Sequence, residues 1–332
     1  MSGRSQQVLW NDKMSGSLPL THGVPQGSIL GPTLFLVMIA DMPKEVIGTS
    51  SNSDMTGYAD DSTMYAHAKN VQSLKVNLEG ISDRMISFCK SAGLILNNDK
   101  TQLLVSPKQT CQIKVGSSII SATPEISLLG VDFDTNFTTL PYLKKLARVA
   151  NTRAKLIARL SYSMPPHILT KLTHGILMGK ILTACPVTIP VRISNEDKHC
   201  ISVTEEINKS IKSCARIITK TKLSDKVHSE EVLWRAKLKC LNEAVASVTA
   251  TTIWKSKQCM DPLGRCLFQE KPDIRFTRFM NSNEIRPPVP GYPNLATNVM
   301  AQVWNNIPEL QKAQTLGAAR SIAHKWAKGI PR

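Results

Sequence analysis

The chain has 332 residues, 42% hydrophobic and 20% charged, a balance that builds one large core or two ordinary ones and marks a globular rather than a disordered chain. No stretch suits a membrane span: Ile29 to Ala40 is short and contains Pro32, and Leu172 to Pro190 is broken by His174, Lys180 and Pro186. The formal charge of +16 is uneven, since residues 1–140 hold 10 basic and 12 acidic side chains (−2) and residues 141–332 hold 31 and 13 (+18), which points the second part at a polyanion.

Residues 1–32, rich in Gly, Ser and Pro, read as strand and loop. Thr33 to Asp41 follows Pro32 and suits a helix start. Asp54 to His67 reads as a hairpin, with Met55 and Tyr58 before the turn, Met64 and Tyr65 after it, and acids at the tip. From Val71 to Cys89, the residues Val71, Leu74, Leu78, Ile81, Met85 and Phe88 recur at steps of three and four, predicting an amphipathic helix with Gly93 as its C-terminal glycine. Gln102–Ser106, Gln112–Val115 and Ile126–Phe133 predict short strands.

Tyr142 to Tyr162 predicts a second amphipathic helix. Leu143, Leu146, Ala150, Ile157 and Leu160 share its apolar face, while Lys144, Arg148, Lys155 and Arg159 fall within about 60° of one another nearly opposite. Such a stripe can follow a phosphate backbone, or it can be an ordinary solvated face. Arg153 lies in the apolar sector and fits neither role. From Pro165 the chain is mostly helical, with breaks near Pro186–Pro190 and Asp261–Gly264, a proline-rich linker at 286–293, and two last helices near Leu295–Trp304 and Leu310–Lys328. The eight cysteines are scattered without metal-ligand spacing and read as reduced thiols.

Nucleotidyl transfer on two divalent ions about 3.5–4 Å apart needs hard oxygen ligands on a rigid element. Asp60 and Asp61, adjacent at a hairpin tip, are of that kind, although a short Ala-Asp-Asp turn alone serves equally for local hydrogen bonding. Its neighbours narrow the choice. Upstream stands Gly23-Val24-Pro25-Gln26-Gly27-Ser28-Ile29-Leu30-Gly31-Pro32; downstream stand Gly93-Leu94-Ile95-Leu96-Asn97-Asn98-Asp99-Lys100-Thr101 and Leu128-Leu129-Gly130-Val131.

With Tyr58-Ala59-Asp60-Asp61 between them, this series resembles the reverse transcriptases of non-LTR (LINE-type, jockey-like) retrotransposons, most strongly from Gly23 to Val131. The resemblance implies an RNA-directed DNA polymerase acting on an RNA template, a DNA primer and deoxynucleoside triphosphates. It implies two Mg²⁺ ions in the complete enzyme, with Mn²⁺ able to replace them. By the same resemblance Asp60 and Asp61 are the metal-binding acids, and Lys100 is the basic residue beside the triphosphate. Pro25, Gln26, Gly27 and Tyr58 line the nucleotide, template and primer end, and Leu129-Gly130 is the primer grip. The helix from Tyr142 looks like the thumb, so that Lys144, Arg148, Lys155 and Arg159 grip the duplex. Val303-Trp304-Asn305-Asn306-Ile307-Pro308 is similar to a Trp-Asn-x-Leu-Pro pattern near the end of such elements.

The family pattern also has a strand, upstream of the Gly-Val-Pro-Gln-Gly string, that carries a first catalytic aspartate. Here only Asp12 precedes the string, in a polar turn. Two readings follow: a polymerase fragment, or a catalytically inactive nucleic-acid-binding remnant. The expected fold is α+β, an incomplete palm at 1–140 with a small antiparallel sheet and helices. A basic helical thumb and connection follow at 141–285, then a linker and C-terminal helices at 286–332. The expected location is the nucleus or cytoplasm, neither secreted nor membrane-bound.

Overall fold

A computed structural model describes residues 3–20, 23–24, 27–49, 52–193, 201–268 and 296–331. The linker expected at 286–293 lies outside them. The chain forms two compact units, 1–126 and 127–332. The first holds 10 basic and 10 acidic residues and the second 31 and 15, so the entire +16 resides in the second unit.

The first unit opens with β1 (Arg4–Gln6), β2 (Leu9–Trp10), β3 (Lys13–Met14) and β4 (Leu18–Leu20), nested ribbons in which β2 pairs with β3 and β1 with β4. Asn11 and Asp12, both at positive φ (46° and 60°), make the two-residue turn between β2 and β3. Helices α1 (Gly31–Ile39) and α2 (Met42–Ile47) follow, each with a proline in its first turn. Strands β5 (Ser53–Tyr58) and β6 (Asp61–Ala66) then pair antiparallel, and α3 (Val71–Ser91) follows.

Helix α3 organises this unit. Asn70 Oδ1 accepts from Ser73 N at its start. At its end Leu94 N donates to Cys89 O and Gly93 N to Lys90 O, with Gly93 at φ 69°, the double bond of a Schellman cap. The apolar positions expected on one face divide between two clusters. Ile81, Met85 and Phe88 pack with Val46, Ile47 and Met55, whereas Val71, Leu74 and Leu78 pack on Leu103, Val105, Ile113 and Val115. The second cluster sits on the hairpin of β7 (Gln112–Val115) and β8 (Ser118–Ser121), and Glu79 on α3 accepts from Lys114 N on β7.

The strand expected at Gln102–Ser106 does not form; Leu103 makes one isolated bridge to Ala122. Leu103 and Val105 are held by burial, and Leu103 O is taken by Thr123 N and Oγ1, while Pro107 removes the next donor. Helix α1 keeps an uncovered apolar surface, with Leu36 and Val37 exposed, and the β5–β6 ribbon has no third strand among the described residues.

Strands β9 (Glu125–Leu128) and β10 (Val131–Asp134) form a hairpin within which the chain passes into the second unit. That unit is helical: α4 (Leu140–Leu160), α5 (Pro166–Leu172), a π-helical turn (Thr173–Met178), α6 (Gly179–Leu182), α7 (Cys185–Thr188), α8 (Ile201–Thr219), α9 (Ser229–Arg235), α10 (Leu241–Cys259), α11 (Pro262–Phe268), α12 (Ala296–Asn305), α13 (Pro308–Gln311) and α14 (Leu316–Ala327). Pro186 starts α7 rather than marking a break. The final helix expected from Leu310 is split, because Thr315 Oγ1 caps Ala318 N and begins α14 there.

One core joins these helices, with α4 against α8 and α10 against α7, α11, α12 and α14. The Trp-Asn-x-x-Pro segment has a packing explanation. Trp304 and Ile307 are fully buried, Trp304 meets Phe268 edge-on at 4.9 Å, and Pro308 opens α13. Arg153, the misfit on α4, donates through Nη1 to Ile176 O inside the π-helical turn. Cys89, Cys111, Cys185, Cys214 and Cys240 are buried, and burial pushes the Cys185 and Cys214 thiols up to about 12, leaving these two neutral.

Two glycines test this packing in opposite directions. A Cβ on Gly264 would stand 2.1 Å from Ser256 O, so Gly264→Ala forces α11 off α10 and is expected to destabilise the second unit by about 1–3 kcal/mol. A Cβ on Gly80 in α3 meets only the end of Arg84 at 3.7 Å, so Gly80→Ala should stabilise by about 0.5–1 kcal/mol. Denaturant unfolding of both variants measures the contrast.

Candidate nucleic-acid interface

Pairing of β5 with β6 is in register from Ser53↔Ala66 to Tyr58↔Asp61, leaving Ala59 and Asp60 as the two-residue turn. Met55 is buried, and Met64 and Ala66 lie against the same core. Side chains alternate along a strand, so Ser53, Met55 and Gly57 with Ser62, Met64 and Ala66 form the core face. Asp54, Thr56 and Tyr58 with Asp61, Thr63 and Tyr65 form the open one. Tyr58 and Asp61 are cross-strand partners, and Asp60 stands beside them at the tip; all three are exposed. Neither acid has an ion-pair partner among the described residues.

The turn is strained. Ala59 has φ 52°, a region that Gly occupies freely and Ala at a cost of roughly 1–2 kcal/mol. The hairpin β9–β10 has the same character: Leu129 and Gly130 are its turn, at φ 49° and 79°, and Leu129 is 65% exposed. Core packing therefore does not account for Leu129. Its bulky apolar side chain is held out at the tip.

The open face also holds a group not singled out from the sequence. Asp54 accepts from Met55 N at 2.7 Å and from Tyr65 Oη at 2.8 Å. The backbone bond first, and the Tyr65 bond second, hold the Asp54 carboxyl below the usual range, while Asp54 raises the Tyr65 phenol. The signal was legible in principle: with Ala59-Asp60 as a two-residue turn, Tyr58↔Asp61 and Asp54↔Tyr65 follow by counting. Asp54 lies four residues from Tyr58, roughly 13 Å along the strand, too far to share an ion with the tip.

Among the described residues no group of three or more His, Cys, Asp or Glu side chains is arranged to hold a metal ion. The tip offers two hard carboxylates and no soft ligand. That suits Mg²⁺, which keeps several waters and takes other ligands from a phosphate substrate, and not a closed structural site.

The other residues named from the sequence are distributed as follows. Pro25 and Gln26 lie outside the described residues. Gly27 has φ 82° with open space where a Cβ would be, so its backbone angle is sufficient reason for glycine. Lys100 ends a 3₁₀ turn (Asn98–Lys100) capped by Asn97 Oδ1 and tied to β8 through Asn98 Nδ2 and Ser118 Oγ at 3.0 Å. It is exposed, and no hydrogen bond or ion pair joins it to the β5–β6 hairpin.

In the second unit Lys144, Arg148, Lys155 and Arg159 are all exposed, and none is in an ion pair among the described residues. The stripe runs roughly 22 Å along α4. Its neighbour Lys145 is instead engaged, with Nζ 3.1 Å from Asp132 on β10. Leu143, Leu146, Ala150 and Ile157 are buried on the opposite side.

Residues 5–133 match the family described as reverse transcriptase (RNA-dependent DNA polymerase). The chain is 25% identical over 163 residues to the RNA-directed DNA polymerase from mobile element jockey of Drosophila melanogaster, covering 47% of this chain and 17% of that protein. It is 28% identical over 157 residues to the jockey polymerase of Drosophila funebris, 46% of this chain and 17% of that one. It is 28% identical over 144 residues to a probable RNA-directed DNA polymerase from transposon BS of Drosophila melanogaster, 40% and 16%. The chain thus spans under a fifth of the length of these relatives. Residues 5–133 are thus similar to a reverse transcriptase domain segment, and the relatives that match the chain are polymerases of mobile elements.

Two substitutions probe the hairpin. Ala59→Gly relieves the positive φ and is expected to slow amide exchange along β5–β6 without changing the register. Tyr65→Phe removes a bond that favours the Asp54 carboxylate, so the Asp54 pKa should move up toward its ordinary value. A group with a depressed folded pKa contributes stability above its unfolded pKa and loses it as pH falls through the folded one. The hairpin of Tyr65→Phe should therefore loosen at a higher pH than the parent, within the acidic range, as read by NMR titration.

Proposed function

We propose that the chain is a working segment of an RNA-directed DNA polymerase, whose whole enzyme extends a DNA primer along an RNA template with deoxynucleoside triphosphates. The observation that carries this reading is the Asp60-Asp61 pair, exposed at the tip of a hairpin whose base is anchored in a core, within a matched reverse transcriptase segment. Asp60 and Asp61 would hold Mg²⁺, two ions in the complete enzyme with Mn²⁺ able to replace them, lowering the pKa of the primer hydroxyl and offsetting charge on the phosphates. Tyr58, opposite Asp61, offers a ring to the primer end or sugar. Gly27, with Pro25 and Gln26, borders template and incoming nucleotide, and Lys100 supplies a cation to the departing pyrophosphate. Leu129-Gly130 holds the primer strand from a hairpin tip. Lys144, Arg148, Lys155 and Arg159 contact duplex phosphates without reading bases. Such substrates set the compartment as nucleus or cytoplasm; no described helix is long and apolar enough to cross a membrane.

The chain alone is expected to extend a primer weakly, because the carboxylate pair stands without a third acid among the described residues. Asp12, the acid before the Gly-Val-Pro-Gln-Gly string, sits in the exposed turn between β2 and β3. A primer-extension assay on an RNA template with Mg²⁺ reads this. Any incorporation should vanish in Asp60→Asn, and incorporation that survives the change removes Asp60 from its role.

Binding to an RNA–DNA hybrid tests the stripe on α4. Changing Lys144, Arg148, Lys155 and Arg159 to Gln should weaken binding equally across sequences and lower the salt slope by about four, one per lost phosphate contact. An unchanged slope assigns the stripe to solvent.

A further inference from the structure

Helix α9 turns Val232, Leu233 and Ala236 into the core, which leaves Trp234 outside, 79% exposed. Folding gains little from an indole placed there. Trp234 forms one wall of a cavity of about 350 Å³, whose other walls include Lys237, Lys239, Glu243, His324 and Lys328. Three segments distant in sequence meet at this place: the end of α9, the start of α10 and the end of α14.

The chemistry of the walls is specific. His324 Nδ1 is buried with no hydrogen-bond partner, and its nearest acid oxygen, Glu243 Oε1, is 3.9 Å away, beyond hydrogen-bond reach. Glu243 lies beside Lys239, whose charge it opposes, and beside His324, whose pKa burial and the nearby lysines lower, while Lys237 and Lys328 stand exposed in the same wall. Glu230 is the other acid in the wall.

We propose that this cavity binds single-stranded nucleic acid, one base stacking on Trp234 with Lys237 and Lys328 at the flanking phosphates. An exposed indole beside lysines is the pattern of sequence-tolerant strand binding, since every base has a π-face. A duplex hides those faces in its own stack, so the site selects an unpaired base. The site lies outside residues 5–133 and does not rest on the polymerase reading.

The test uses the whole chain and a short fluorescein-labelled oligo(dT), followed by anisotropy. Trp234→Ala should raise Kd about tenfold, as for roughly one lost stacked base, and Trp234→Phe should keep most of the affinity. Hybrid-duplex affinity should stay the same in both variants, which separates this site from the stripe on α4. In a Trp10→Phe background, which removes another exposed indole, oligo(dT) should quench Trp emission and tripolyphosphate should not. The proposal is overturned by an oligo(dT) Kd within about twofold of the parent in Trp234→Ala, by equal loss of duplex affinity, or by equal quenching from poly-glutamate, which would mark an acidic protein as the partner. Self-association abolished by Trp234→Ala with oligo(dT) binding intact overturns it too, and makes the surface an interface between copies.

Discussion

In a two-stranded ribbon the side chains alternate, so seating one residue in a core assigns a face to all the others; in β5–β6 that residue is Met55, buried against Val46, Ile81 and Phe88. A slip of one residue would turn Asp61 and Tyr58 inward and Met55 out. Met55 burial and the Tyr58↔Asp61 pairing are therefore one constraint seen at two ends. The Asp54–Tyr65 bond closes the same ladder at its far end, on the open face, where it adds to the register without using any core volume.

The second unit obeys the equivalent rule at helical period. Leu143, Leu146, Ala150 and Ile157 go into the core with α8, and this alone sends Lys144, Arg148, Lys155 and Arg159 to the outside. What the burial does not require is that the outward cations stay unpaired. Lys145 shows that an acid can be placed within reach, yet the four residues of the stripe have none among the described residues. Like charges along roughly 22 Å of one helix are mildly unfavourable for the helix itself and favourable for a polyanion. With the +16 confined to this unit, the arrangement is the one the proposed binding of a duplex would use.

Elements whose periodicity is set by a core were legible in the residues: α3 with its Gly93 cap, α4 with its stripe, and the β5–β6 hairpin. Gln102–Ser106 was misleading because apolar residues there are buried singly, and burial alone does not make a ladder. Arg153 was opaque since its partner is a carbonyl in a π-helical turn, a local geometry without a sequence period. The Trp234 cavity was opaque for a related reason: Trp234, Glu243 and Lys328 are brought together only by the packing of α9, α10 and α14. The candidate site itself was legible as an ordered string of short motifs, not as geometry; the counting that pairs Asp54 with Tyr65 needed the turn to be fixed first.

The two hairpin tips then have a common logic. Tight two-residue turns ask for residues that accept positive φ, and glycine would satisfy them at no steric cost. Ala59 and Leu129 are held at φ 52° and 49° instead. Neither is buried, so neither strain is returned as packing. Side chains there stiffen the tips that carry Asp60 and Leu129, and a stiff tip would suit the proposed roles of holding two carboxylates or a strand end in one place before a ligand arrives. Strain at the tips and anchorage at Met55 are thus complementary: the base of the hairpin supplies the stability that its tip expends.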